Sequence, residues 1–122
     1  MGGDLGKARR KADKLGLNQN VRTLVVCMDR KAAKCCGRDE MVEAWNHLKR
    51  RAKDWNRETD VPLLRLKSSC LGICAGGPII GVMPDGVWYG KCDSKMIDRI
   101  FDEHLRVGEL IEDRVIAMRR DI

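Results

Sequence analysis

The stretch Ser68–Gly90, SSCLGICAGGPIIGVMPDGVWYG, constrains this chain more than any other. Cys70 and Cys74 stand with three residues between them, in a glycine-rich run that leads to Gly77-Pro78. Thiolates are good ligands for soft metal centres, and a Gly-rich backbone lets N–H groups approach bound sulfur or anions closely. Beyond it, Ile79, Ile80 and Val82 read as a strand, Pro84-Asp85-Gly86 as a tight turn, and Val87-Trp88-Tyr89 as the returning strand. A cysteine loop is thereby tied to the start of a β-hairpin. Taken alone, the stretch also admits a structural loop with two buried free thiols.

The rest of the chain narrows the choice. Its 122 residues make one domain, large enough for a single hydrophobic core. Apolar residues at 43% and charged residues at 34% fit a globular protein rather than a disordered one. No apolar run approaches the length of a membrane span, and MGGDLGKARRKADKLG lacks the apolar centre of a secretory signal. A cytoplasmic location is expected. In a reducing compartment, six cysteines point to metal binding rather than disulfides. A net charge of +6 fits nucleic acid, an anionic membrane surface or an acidic protein partner. Eighteen interleaved acids and few aromatics for base stacking count against nucleic acid.

In chain order, Leu5, Ala8, Ala12 and Leu15 recur at helical spacing among Lys7, Arg9, Arg10, Lys11 and Lys14. They predict either a short basic amphipathic helix over about residues 4–15, stopped by Gly16, or a frayed, solvated segment, within an N-terminal extension covering 1–20. The folded domain is expected over 21–122. Val21–Val26 reads as a buried strand that ends at Cys27, and the loop Met28–Gly37 carries Cys35 and Cys36. Asp39 is placed to cap a helix running to about Trp55, with Met41, Trp45, Leu48, Ala52 and Trp55 as its core stripe. His47 lies off that stripe and reads as a surface side chain. Val61–Lys67 predicts a second strand with Pro62 at its beginning, leading into Cys70. A third helix over about Ser94–Val107 buries Met96, Ile97, Ile100, Phe101, His104 and Leu105, with Gly108 as its C-cap. His104 reads as a hydrogen-bonded packing residue, and Cys92 as a buried structural thiol. Leu110-Ile111 and Val115-Ile116 predict an extended tail that could serve as an edge strand.

A β-α-β unit followed by a β-β-α unit gives an α/β protein with a mixed sheet of about four to five strands flanked by helices. That succession is the thioredoxin arrangement. Parallel neighbours put the ends of strands one and two side by side, so Cys27, Cys35, Cys70 and Cys74 can converge on one centre. Four cysteines suit a [2Fe–2S] cluster or a structural zinc. The tight spacing of zinc knuckles is absent from both pairs, and the chain has no Cys-x-x-Cys dithiol.

Cys70-Leu-Gly-Ile-Cys74, Gly77-Pro78 and Val82-Met-Pro-Asp-Gly-Val-Trp-Tyr-Gly90 resemble the thioredoxin-like [2Fe–2S] ferredoxins, relatives of the small cluster-bearing subunit of bacterial NADH dehydrogenases. Ile100–Glu109 looks like that family's closing helix, and the resemblance runs from about Val21 to Val115. It implies a thioredoxin-like fold and a one-electron carrier rather than an enzyme. The implied cofactor is one [2Fe–2S] cluster held by Cys27, one of Cys35 and Cys36, Cys70 and Cys74. Loop length in relatives favours Cys35, with Cys36 as the alternative. The basic extension departs from the family and points to a redox partner protein with an acidic docking surface. A cluster-bearing or structural adaptor subunit on an acidic partner is the alternative, and a homodimer or a larger complex stays open.

Overall fold

The computed structural model describes residues 3–18, 21–27, 38–60, 62–68 and 77–119. The β-branched run Thr23–Cys27 forms β1, and Leu64–Ser68 forms β2 parallel to it. Ile80–Met83 (β3) and Val87–Tyr89 (β4) are the two arms of the expected hairpin, and Val115–Met118 (β5) pairs antiparallel with β4. The sheet order is β2-β1-β3-β4-β5, with β1 antiparallel to β3. This is the mixed five-stranded sheet that the strand succession predicts. At the hairpin turn Gly86 takes φ +74, and its N–H donates to Val82 O at 2.8 Å. A side chain is strained at that φ, so the third position of Pro-Asp-Gly suits glycine.

Among the described residues, the α-helices α1 (Gly3–Lys14), α2 (Arg38–Glu58) and α3 (Ser94–Arg99) accompany the sheet. The core lies between one face of the sheet and the pair α2 and α3. Alternation in β1 sends Leu24 and Val26 into it, and register adds Ile80, Val82, Val87 and Tyr89 from β3 and β4. From the helices come Met41, Leu48, Ala52, Met96, Ile97 and Phe101. The opposite face carries Val25, Leu66 and Trp88, and the Trp88 ring lies over Gly81, its partner across the strands.

Several local expectations need correction. α2 begins at Arg38, so Asp39 lies inside the first turn rather than capping it; its carboxylate still complements the helix dipole. The helix also continues past Trp55 to Glu58. β2 starts later than Val61, which lies outside the described residues. Leu63 N–H donates to Asn56 Oδ1 at 2.7 Å, which ties the entry of the strand to α2. The third helix is not uniform. Asp93 caps α3 by accepting from Met96 N–H at 2.9 Å, and the chain then widens into a π-helical segment, Ile100–Leu105. There Arg106 N–H reaches back five residues to Phe101 O at 3.1 Å. The expected buried side survives that change, and Gly108 ends it at φ +87.

His47 is not a free surface group. Its Nε2 lies 2.8 Å from Asp98 Oδ1, and Arg51 donates to the same oxygen at 2.7 Å and to Asp102 at 2.8 Å. These contacts clamp α2 to the third helix, with the Arg51 guanidinium also 5.0 Å above the Phe101 ring.

The N-terminal helix forms where its spacing predicts. Gly16 adopts φ +84, and Leu17 N–H donates to Ala12 O at 3.1 Å, the closing geometry of a glycine C-cap. Its stripe stays largely open: α1 has no buried residue, and Leu5 and Leu15 are 61% and 52% exposed. No helix among the described residues is long and apolar enough to cross a membrane.

Candidate metal centre

The site begins at the parallel pair. β1 ends in Cys27, which is paired in register with Ser68, the last residue of β2. Cys27 N–H donates to Ile79 O at 3.1 Å, on the other side of the same residue. Ser68 and Gly77 are the described flanks of the segment that carries Cys70 and Cys74, and Ile79 stands two residues after Gly77. The chain thus goes into that segment from the residue paired with Cys27 and is bonded to Cys27 again at Ile79. The segment bearing Cys35 and Cys36 starts at Cys27 itself and ends where α2 begins at Arg38.

Cys27 is 2% exposed and a free thiol. Cys35, Cys36, Cys70 and Cys74 lie outside the described residues. Among the described residues no group of three or more His, Cys, Asp or Glu is arranged to hold a metal ion. What the structure shows is the frame: two parallel strand ends, one buried thiol at their tip, and Ser68 and Ile79, on either side of a second cysteine segment, against it.

Cys92 belongs to the core instead. It is fully buried, and its thiol donates to Tyr89 O at 3.4 Å. Burial pushes its pKa up to about 12, so it stays a thiol at neutral pH. Its N–H donates to Pro78 O at 2.9 Å, tying the hairpin's far side to the exit of the cysteine segment. The expected structural role stands.

His104 is likewise the hydrogen-bonded packing residue its position predicts, 3% exposed. Sequence reasoning missed its partners. Nε2–H donates to Asp85 Oδ2 at 2.7 Å, and Nδ1 lies 2.6 Å from Tyr89 OH, whose oxygen accepts from Ile111 N–H at 3.3 Å. Arg22 reaches the same carboxylate oxygen, Nε to Oδ2 at 3.3 Å, and also donates to Leu105 O at 3.2 Å. The network braces the hairpin turn against the π-helical segment. Asp85 in Pro-Asp-Gly was legible as a turn residue, but nothing local pairs it with His104.

No protein-family model matches the chain. Among curated proteins, a [2Fe–2S] ferredoxin of Aquifex aeolicus is 42% identical over 50 residues, 41% of this chain and 45% of the relative. A [2Fe–2S] ferredoxin of Clostridium pasteurianum is 33% identical over 57 residues, 47% and 56% of the two chains. The chain thus spans about half the length of these curated relatives. Among solved structures, the wild-type thioredoxin-like [2Fe–2S] ferredoxin of Aquifex aeolicus superposes with a TM-score of 0.70 at 25% identity. That match covers 80% of this chain and 97% of the other. The fold is thus that of a thioredoxin-like α/β protein. In sequence the chain is similar to [2Fe–2S] ferredoxins over about half of their length.

Proposed function

We propose that the chain is a one-electron carrier that holds a [2Fe–2S] cluster through Cys27, Cys35, Cys70 and Cys74, with Cys36 as the alternative to Cys35. The observation that carries this is the position of Cys27. It sits between Ser68 and Ile79, residues that stand before and after Cys70 and Cys74 in the chain. The donor set is right as well, since soft thiolates suit iron–sulfur chemistry. The curated relatives named [2Fe–2S] ferredoxin support the same reading.

When bound, the cluster would supply a couple that takes and releases one electron. The chain's own contribution centres on Cys27. Cys27 presents a thiolate from a strand end held on both sides, which fixes one ligand before any metal arrives. Its burial at 2% keeps water from that sulfur. Its N–H is already engaged by Ile79 O, so amide donors toward sulfur must come from other residues. Electron transfer to a docked protein, rather than substrate turnover, follows from this assignment.

The exposed stripe of α1 supports a partner with an acidic surface. Five cations between Lys7 and Lys14 surround Leu5, Ala8, Ala12 and Leu15, and the helix has no buried residue. The same feature favours the second reading, an adaptor subunit held permanently on an acidic protein. Anaerobically purified protein decides the main proposal. It should be red-brown, carry two irons and two acid-labile sulfides per chain, and bleach on one-electron reduction. Colourless protein with stoichiometric zinc overturns it.

A further inference from the structure

The outer edge of β2 and the flank of α2 enclose a groove of about 680 Å³. Lys49, Arg50, Lys53 and Arg57 line it from the helix and Arg65 from the strand, and none of its lining residues is a carboxylate. Arg57 shares its charge with Asp54 at 2.7 Å; Lys49 and Lys53 are exposed without an ion-pair partner among the described residues. Lys67 extends the cationic row along β2, its Nζ 4.7 Å above the Trp45 ring.

β2 is also a terminal strand of the sheet. Leu64 N–H donates inward to Arg22 O at 3.0 Å. In a parallel ladder, alternate residues turn their N–H and C=O to the same side. Leu64 and Leu66 therefore address β1, and Arg65 and Lys67 turn their backbone groups outward, where no described residue takes them up. The two faces of the strand differ too. Arg65 and Lys67 lie on the α2 side over Trp45, whereas Leu66 is on the opposite side and 55% exposed.

We propose that this edge takes up an extended acidic segment of a partner protein as an added strand. Its carboxylates would alternate over Arg65, Lys67 and the α2 cations, and its apolar side chains would meet Leu64 and Leu66 on the other face. Charge excludes a second copy of this edge, because like rows would face each other. Nucleic acid has charge in its favour, but it cannot continue a main-chain ladder, and Trp45 at 8% exposure offers no stacking surface. A strand bound here runs alongside Lys67, next to Ser68 and the strand end that holds Cys27. That link to electron transfer rests on the cluster reading; the strand site itself does not.

The test uses the full chain and a fluorescein-labelled peptide of six Glu-Val repeats. Anisotropy should report binding that weakens with salt, and hydrogen exchange should show new protection at the Arg65 and Lys67 amides. Lys49→Glu with Lys53→Glu, two exposed changes, should weaken binding by about tenfold or more. Two further peptides carry N-methyl groups on every Glu or on every Val. Only one set points its N–H groups at β2, so one peptide should bind at least about tenfold more weakly than the other. Equal binding by the two N-methyl peptides would reduce the site to an unspecific anion groove and overturn the proposal. Absence of binding would overturn it as well, as would tighter binding of an oligothymidylate of equal charge with the same protection. The visible spectrum, recorded on each sample, separates the two readings: colourless protein that still binds the peptide leaves the strand site standing and removes the cluster.

Discussion

His104 and Asp85 are joined at 2.7 Å, from the imidazole Nε2–H to a carboxylate oxygen, across 19 residues of chain. The pair sits between the hairpin turn and the π-helical segment, and Arg22 pairs with the same carboxylate at 3.3 Å. Burial alone would raise the Asp85 pKa. The hydrogen bond from His104 and the charge of Arg22 outweigh it and hold the carboxyl below its ordinary value.

A depressed carboxyl pKa has a definite consequence for acid stability. The unfolded chain binds the proton first, so the contribution of Asp85 is complete above the ordinary Asp value of about 3.9. It is lost as pH falls through the lower folded value. Urea unfolding followed from pH 7 to pH 2 should show that loss, and Asp85→Asn should remove its share of the acid limb. At pH 7 the same change should cost about 1–2 kcal/mol, because the amide still accepts from His104 but no longer pairs with Arg22 as a charge. An acid limb of unchanged size in Asp85→Asn would show that other carboxylates carry it.

Gly81 marks a tight approach. A Cβ built there would lie 2.6 Å from two carbons of the Trp88 ring. The contact is with a rigid ring rather than the tip of a flexible chain. Gly81→Ala should therefore destabilise the protein by about 1–3 kcal/mol, the usual range for overpacking. Combining it with Trp88→Ala should make the second loss much smaller than additive, and denaturant titration of the four species measures the coupling. Additive losses would mean that the ring can move aside.

These two relationships show where sequence reading reaches and where it stops. The strands were legible because Thr23–Cys27 and the Ile-Ile-Gly-Val run are β-branched and apolar, and Pro-Asp-Gly punctuates the hairpin. The core face of α2 was legible from the spacing of Met41, Trp45, Leu48 and Ala52. His47 was misread because its partner Asp98 lies 51 residues away, a separation no local pattern reports. The same holds for Asp85 with His104 and for Lys67 over Trp45. Helical periodicity predicts a third helix but not its widening at Ile100, since the same residues stay buried in either form. At the candidate centre, spacing brings the strand ends together, and the structure places Cys27 there. Cys35, Cys36, Cys70 and Cys74 remain assigned by resemblance.

Cys27 and Cys92 are both buried free thiols, yet they should behave oppositely. Cys27→Ser should empty the proposed cluster site, because a hard hydroxyl replaces a soft thiolate, and iron and sulfide analysis reads the result. Cys70→Ser and Cys74→Ser should do likewise, and Cys35→Ser should hurt more than Cys36→Ser. Cys92→Ser should keep the cluster. In the folded protein the Cys92 thiol, with its pKa pushed up to about 12, should resist iodoacetamide at pH 8 until denaturant is added. Rapid native alkylation of Cys92, or an empty site in Cys92→Ser, would reverse the roles assigned to it.

The N-terminal helix should add nothing to the stability of the domain. A twelve-residue helix is marginal alone in water, because nucleation costs more than a few turns return. Helices of this length are ordinarily held by packing, and α1 buries no residue. Its amides should therefore exchange at close to the rate of an unstructured peptide in the isolated protein. Deleting Met1–Gly16 should leave the urea midpoint and the visible spectrum unchanged. The function proposed for α1 then shows only with a partner present: the truncated chain should associate more slowly with an acidic redox protein, and its rate should depend less on salt. The deletion removes a local charge of +3, five cations between Lys7 and Lys14 less Asp4 and Asp13, so the salt dependence is the sharper readout. A stability loss above about 1 kcal/mol would show that α1 packs on the domain, since surface changes rarely cost as much. Equal association rates at every salt concentration would make it a dispensable tail.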